Sequence, residues 1–120
     1  MTAKEHGKIE RKLVATLTHA CEKAKYQLPG FEWLTHRVDY QHFPQSLVVT
    51  WVFDTSANLS KALNSNAKQL MLELTATVLY ESDIVIDDIA QHVDFDSEQA
   101  CLRTHNGDWK RRLRLTTTRH

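Results

Sequence analysis

The feature that most constrains the fold is a run of aromatic and β-branched residues between positions 31 and 54. This run holds five of the seven Phe and Trp residues in the chain. Each half of the run has the pattern of a strand that packs on a core. Pro44 lies between the halves, where its lack of a backbone N–H costs no hydrogen bond between strands. The sequence therefore predicts two antiparallel strands, 31–40 and 47–53, joined by a hairpin loop.

The two predicted strands differ in how they would be covered. In the first strand the side chains alternate, with Leu34, His36 and Tyr40 on one face and Trp33 and Arg37 on the other. The second strand is apolar on both faces, which is typical of a central strand covered on both sides. We therefore expect Trp51, in the second strand, to be buried.

Apolar residues at spacings of three and four predict helices on either side of this hairpin. One helix should cover residues 4–27 and end before Pro29, which cannot continue the helical hydrogen bonds. A second helical region follows Asp54, where several side chains can cap a helix. Weak helix formers at 64–66 should divide that region into two helices.

The last part of the chain predicts one more strand and a short helix. We expect the strand around residues 92–95, followed by a helix that Ser97 caps and that ends at Asn106. After Trp109 the pattern permits either a strand or a tail, and we expect the Trp109 side chain to be exposed.

These elements predict an α+β fold in one domain, residues 1–120, with 110–120 as a candidate flexible basic tail. The fold would be a three-stranded, mainly antiparallel sheet with helices packed on one face, in the order α-β-β-α(α)-β-α. The other face then needs a cover, and a second copy of the chain is the simplest one. We therefore expect a homodimer with an interaction surface at Trp33, Arg37 and Trp109.

Composition and motifs argue against several classes of protein. The sequence has neither an apolar leader nor an apolar run long enough to span a membrane, so we expect a cytoplasmic protein without membrane contact. It has no phosphate-binding loop or catalytic elbow, so we expect no enzyme activity and no cofactor. Cys21 and Cys101 are expected to be reduced thiols. Cys101 and His105 would share a helical face as candidate metal ligands, but a metal site needs at least three.

Charge is balanced overall but separated along the chain. Residues 69–102 contain eight acidic residues and no Lys or Arg, whereas 103–120 contain six Lys and Arg residues and one acidic residue. We expect the basic end to contact the acidic segment or to bridge a dimer, because opposite charges attract. The alternative is that it clamps nucleic-acid phosphates without reading bases. The candidate residues are Lys110, Arg111, Arg112 and Arg114.

Three stretches of the sequence resemble a group of small uncharacterised gammaproteobacterial proteins, some of which are labelled Fis-type transcriptional regulators. The stretches are GFEWLTHRVDYQHFPQSLVVTWVFDT, FDSEQAC and NGDW. The resemblance implies a bacterial origin and a compact domain. It implies no catalytic activity and identifies no functional residue.

Two nucleic-acid-binding folds can be compared with the sequence. A helix-turn-helix protein needs basic and amide side chains on its recognition helix, but the predicted last helix offers only Gln99, Arg103 and His105. The element order also matches one version of the KH domain, whose GxxG loop clamps a nucleic-acid strand, but residues 63–68 contain no glycine. We therefore predict a non-enzymatic protein-interaction or regulatory domain. The alternative is a nucleic-acid-associated regulator that uses the basic C-terminal segment.

Overall fold

The computed structural model describes residues 2–117, with side chains through residue 113. The described chain forms a three-stranded sheet and five α-helices. The elements are α1 (Ala3–Lys25), β1 (Phe31–Arg37), β2 (Val48–Phe53), α2 (Ser56–Leu63), α3 (Ala67–Glu81), β3 (Val93–Ser97), α4 (Glu98–His105) and α5 (Trp109–Thr117). Short 3-10 turns lie at Tyr40–His42 and Ile89–His92. The predicted α+β class and element order are confirmed, and a helix follows residue 108.

Local side-chain chemistry explains where the helices begin and end. At the start of α1, Thr2 Oγ1 accepts a hydrogen bond from the Glu5 amide, and the Glu5 carboxylate accepts one from the Thr2 amide. This reciprocal cap satisfies two amides that the first turn leaves free. After α1 the chain turns at Gly30, whose φ of 84° suits glycine. Residues 64–66 separate α2 from α3, as the weak helix formers there predict.

The central strand of the sheet is β2, with β1 and β3 on either side of it. β1 pairs antiparallel with β2, whereas β3 pairs parallel with it. The sheet is therefore mixed, which corrects the expectation of mainly antiparallel pairing. β3 is parallel to β2 because α2 and α3 carry the chain back along the sheet, so that β3 starts at the same end as β2.

Helices cover both faces of the sheet. On the first face, Trp51 is fully buried as predicted, in a core that includes residues from α1, α2 and α3. Its Nε1 donates to Thr75 Oγ1 at 3.0 Å, which satisfies the buried indole N–H. On the second face, Trp109 of α5 packs edge-on against Trp33 of β1, with ring centroids 4.8 Å apart. Helices thus pack on the first face as expected, and α5 adds a cover to the second.

The basic C-terminal segment is helical where it is described. Residues 110–117 belong to α5, and 118–120 lie outside the described residues. β1 is shorter than predicted, because the chain leaves the sheet and Asp39 caps the 3-10 turn at residues 40–42. Within the described range, none of the helices is both long enough and apolar enough to cross a membrane.

Candidate interaction surfaces

A groove of about 350 Å³ runs between α1 and β1. Its helical wall is formed by Val14, Leu17, Thr18, Cys21, Glu22 and Lys25, and its strand wall by Leu34, Thr35 and His36. Leu17 is buried at the base, whereas Val14 is 46% exposed at the helical side of the groove. Charged side chains near the end of α1 complete a polar rim. The groove thus combines an apolar base with a polar border, as binding grooves do.

The strand wall of this groove is the main-chain edge of β1. Its three strand residues, 34–36, are consecutive, although their side chains alternate between the two faces of the sheet. Consecutive residues can line one groove only if the backbone itself faces it. β1 is an edge strand, and the described residues contain no hydrogen-bond partner outside β2 for the main chain of 32–36. Amide and carbonyl groups on the outer side of β1 are therefore open to a further strand.

A cluster of polar side chains lies at the His36 end of the groove. Tyr40 donates its hydroxyl hydrogen to Glu10 Oε1 at 2.6 Å, and His36 Nε2 lies 2.9 Å from Glu10 Oε2. Burial raises the pKa of Glu10, but the hydrogen bonds from Tyr40 and His36 outweigh it, so this pKa lies below its ordinary value. Burial and the Glu10 carboxylate raise the pKa of Tyr40. The His6 ring stacks on Tyr40 with centroids 4.5 Å apart.

This cluster joins the first half of α1 to β1 and to the turn that follows β1. Sequence reasoning placed His36 and Tyr40 on one face but did not identify Glu10 as their shared partner. The available signal was that the face carrying His36 and Tyr40 would pack on the first helix, so a carboxylate on that helix could satisfy both. Tyr40 and His36 both bind the Glu10 carboxylate, so the arrangement holds α1 against β1 and the turn that follows it.

On the second face, two tryptophans share one carboxylate. Trp33 Nε1 donates to Glu98 Oε1 at 2.5 Å, and Trp109 Nε1 donates to Glu98 Oε2 at 3.0 Å. Trp109 is therefore half-buried, and the expectation that it is exposed was wrong. Sequence reasoning did not find Glu98, because nothing in its local pattern indicates that α5 folds back over the sheet.

Arg112 of α5 is bound to the sheet rather than free in solution. Its Nε and Nη2 donate to the two oxygens of Asp96 at 2.6 and 2.9 Å, and the two side chains are only 19% and 18% exposed. Such a two-point pair is stronger than a surface ion pair. Beside it, Arg37 donates to Thr50 at 3.1 Å and lies 3.8 Å from Asp94. The basic end therefore contacts the acidic segment, as expected from the charge separation.

The remaining predicted basic residues are not brought together at Asp96. Lys110 and Arg111 are exposed on α5, and the side chain of Arg114 lies outside the described residues. The homodimer was predicted because the second face needed a cover. Since α5 covers the second face at Trp33, that reason no longer applies.

Cys101 and His105 lie on α4, as predicted. The Cys101 side chain is fully buried, and burial raises the pKa of its thiol, which disfavours the reactive thiolate. His105 Nδ1 lies 2.9 Å from Thr104 Oγ1 and 3.2 Å from an Arg112 nitrogen. Among the described residues, no group of three or more His, Cys, Asp or Glu side chains could hold a metal ion. Both cysteines are free thiols.

No family model matches the chain, and comparisons with curated proteins and with solved structures also return no match. The resemblance to gammaproteobacterial proteins stays a prediction.

Proposed function

We propose that the protein is a non-enzymatic protein-interaction domain that binds an extended protein segment along β1, in the groove beside α1. The observation that carries this proposal is the open main-chain edge of β1, which forms one wall of an apolar groove. An extended segment placed there would add a strand to the sheet. Main-chain hydrogen bonds would hold it, and alternate side chains would enter the groove.

The dimensions of the groove suit a short strand. Its helical wall extends from Val14 to Lys25, which corresponds to about 16 Å along a helix axis at roughly 1.5 Å per residue. An added strand of about five residues covers the same length at roughly 3.3 Å per residue. We therefore expect the groove to take about five residues of a partner, with apolar side chains directed at Leu17 and Leu34.

The polar clusters support binding rather than catalysis. Tyr40 and His36 both hydrogen-bond to Glu10, so the Glu10 carboxylate is already engaged and is not a free base beside a nucleophile. Cys101 is buried, and burial raises the pKa of its thiol. These features favour a role in which the surface, rather than a reactive side chain, performs the function.

The proposal is tested by selecting displayed random peptides on the full chain and measuring their affinity by fluorescence polarisation. Thr18→Arg should weaken binding at least tenfold, because the long side chain enters the groove from α1. Thr77→Arg on α3 is the matched control, since both threonines are exposed and both donate to a carbonyl four residues earlier. The proposal would be overturned if the two variants bound the peptides equally well. It would also be overturned if the protein were monomeric and the selection on it returned no peptide.

A second candidate function is association with nucleic acid through α5. The observation that favours it is the exposure of Lys110 and Arg111 on one short helix. Arg112 contributes little, because Asp96 already neutralises it. A gel shift at low ionic strength should be abolished by Lys110→Glu with Arg111→Glu if this function applies. If the wild-type chain produces no shift, the second candidate is eliminated.

A further inference from the structure

A second cavity, of about 230 Å³, lies between the turn that follows α1, the end of β2 and the connection from α2 to α3. Its walls are formed by Leu28, Pro29, Phe53, Asn58, Lys61, Ala62, Ser65 and Ala67. It shares no lining residue with the groove beside β1. We infer that this cavity binds a small carboxylic acid with an apolar body. The inference goes beyond the proposed function, because it concerns a different site and a different ligand.

The inner wall of the cavity is apolar. Leu28, Phe53 and Ala62 are buried side chains, and all three contribute to this wall. The Asn58 side chain donates to Asp54 Oδ1 at 2.9 Å, which fixes the orientation of that part of the lining. An apolar cavity of roughly 150 Å³ is large enough to hold benzene. The cavity beside Phe53 is therefore large enough for an aromatic ring with a short chain attached.

The mouth of the cavity favours an anion. None of the lining residues is acidic, and Lys61 is an exposed cation among them. In the part of the chain whose side chains are described, Lys61 takes part in none of the ion pairs. The ammonium group of Lys61 is thus available to a carboxylate.

The start of α3 adds to this preference. α3 begins at Ala67, in the cavity wall, with neither a side-chain cap nor an acidic residue in its first turn. Between residues 2 and 117, the amides of Asn66 and Gln69 have no hydrogen-bond acceptor. Free amides and the positive end of the helix dipole both stabilise a nearby negative charge. The helix start and Lys61 therefore favour the same kind of ligand group.

A carboxylic acid with an apolar body is the class of ligand that uses both parts of the cavity. A neutral apolar molecule would contact the inner wall but leave the charge of Lys61 unused. A phosphate has three strong acceptor oxygens, which commonly pair with several cations, whereas a single Lys lines this cavity. A cationic ligand would be repelled by Lys61 and by the start of α3.

The test is a titration of the full chain with 3-phenylpropanoate, followed by the amide signals in proton–nitrogen correlation spectra. We expect a dissociation constant of about 1 mM, which is typical of so small a ligand. The signals that move should be those of residues at the cavity, including Ala62, Ser65 and Ala67. The neutral 3-phenylpropanamide has the same ring and chain. It should bind about fivefold more weakly, because an exposed Lys contributes modestly to the binding of an anion.

Two substitutions separate the charge from the apolar wall. Lys61→Gln should remove the preference for the acid over the amide. Lys8→Gln, which makes the same charge change at an exposed position near the start of α1, should preserve it. Ala62→Leu should abolish the binding of both ligands by filling the cavity. Ala57→Leu, at an exposed position of the same helix, should not.

Circular dichroism shows whether each variant is folded, and the Lys61→Gln result decides the matter if Ala62→Leu does not fold. The inference would be overturned if the acid moved no signal at the cavity at ten times the expected dissociation constant. Equal binding of the acid and the amide to the wild type would also overturn it. So would a preference for the acid that Lys61→Gln leaves intact.

Discussion

At the scale of single residues, Glu10 determines how α1 meets the sheet. Its carboxylate accepts hydrogen bonds from Tyr40 and His36, which lie 30 and 26 residues away in sequence. Ionised Glu10 is the better acceptor, so these bonds lower its pKa. Because its pKa is lower in the folded state, Glu10 contributes stability above its ordinary value of 4.5, and this stability is lost as pH falls through the folded pKa.

We predict that Tyr40→Phe lowers the free energy of unfolding by about 1 kcal/mol at pH 7, since it removes one hydrogen bond to a charged but partly exposed group. The difference from the wild type should shrink at pH values below the folded pKa of Glu10, where protonated Glu10 no longer gains from the bond. Urea denaturation at several pH values measures both effects.

Tyr26→Phe is the control for this prediction, because Tyr26 is 93% exposed. It should change the free energy of unfolding by less than about 0.5 kcal/mol. If Tyr40→Phe and Tyr26→Phe change the free energy of unfolding equally at every pH, the bond from Tyr40 to Glu10 does not hold α1 in place.

At the scale of elements, α5 is attached to the second face of the sheet by polar and aromatic contacts. Trp109 and Trp33 meet edge-on, and both donate to Glu98. Arg112 contacts both oxygens of Asp96, the residue that opposes Val52 in the parallel pairing of β3 with β2. A helix of nine residues is too short to be stable alone, so these contacts decide whether it forms.

We predict that Arg112→Ala weakens the docking of α5 by about 1.5 kcal/mol, because Asp96 loses a charged partner in a partly buried position. Trypsin should then cleave after Lys110 and Arg111 roughly tenfold faster, since local opening precedes cleavage. Mass spectrometry of the fragments over time measures the rate. Arg103→Ala, on the exposed surface of α4, should leave it unchanged. Equal rates in both variants would mean that Arg112 does not hold α5.

At the scale of the whole molecule, one core joins every layer that faces the first side of the sheet. Buried residues from α1, β1, β2, α2 and α3 form one contiguous cluster around Trp51. A chain of this size with one core is expected to unfold cooperatively. This arrangement leaves α5 and the outer edge of β1 outside the core.

We predict that the urea transition followed by far-ultraviolet circular dichroism coincides with the transition followed by tryptophan fluorescence. Trp51 reports the core, whereas Trp33 and Trp109 report the second face, so coincidence means that all of them unfold together. Two separated midpoints would show that α5 detaches first. The Arg112→Ala variant should then separate the midpoints further.

Some of the candidate surfaces could be predicted from the sequence and some could not. Alternation in β1 places Trp33 and Arg37 on one face, and the pairing with β2 confirms this. The charge separation predicted contact between the basic and acidic segments, and Arg112 with Asp96 confirms it. The groove beside β1 was not predicted, because its strand wall is backbone and its helical wall depends on where α1 lies. The exposure expected for Trp109 was wrong for the same kind of reason.

The sequence by itself determined the elements that depend on neighbours a few residues apart. Periodicity indicated the helices and strands, capping residues indicated several of their ends, and the apolar pattern of β2 predicted the burial of Trp51. Only the tertiary structure decided the parallel direction of β3, the position of α5 and the partners of Glu10. These features depend on contacts between distant residues, such as Trp33 and Glu98, which are 65 positions apart. Local propensities carry no information about such contacts, because their free energy appears only when the layers pack together.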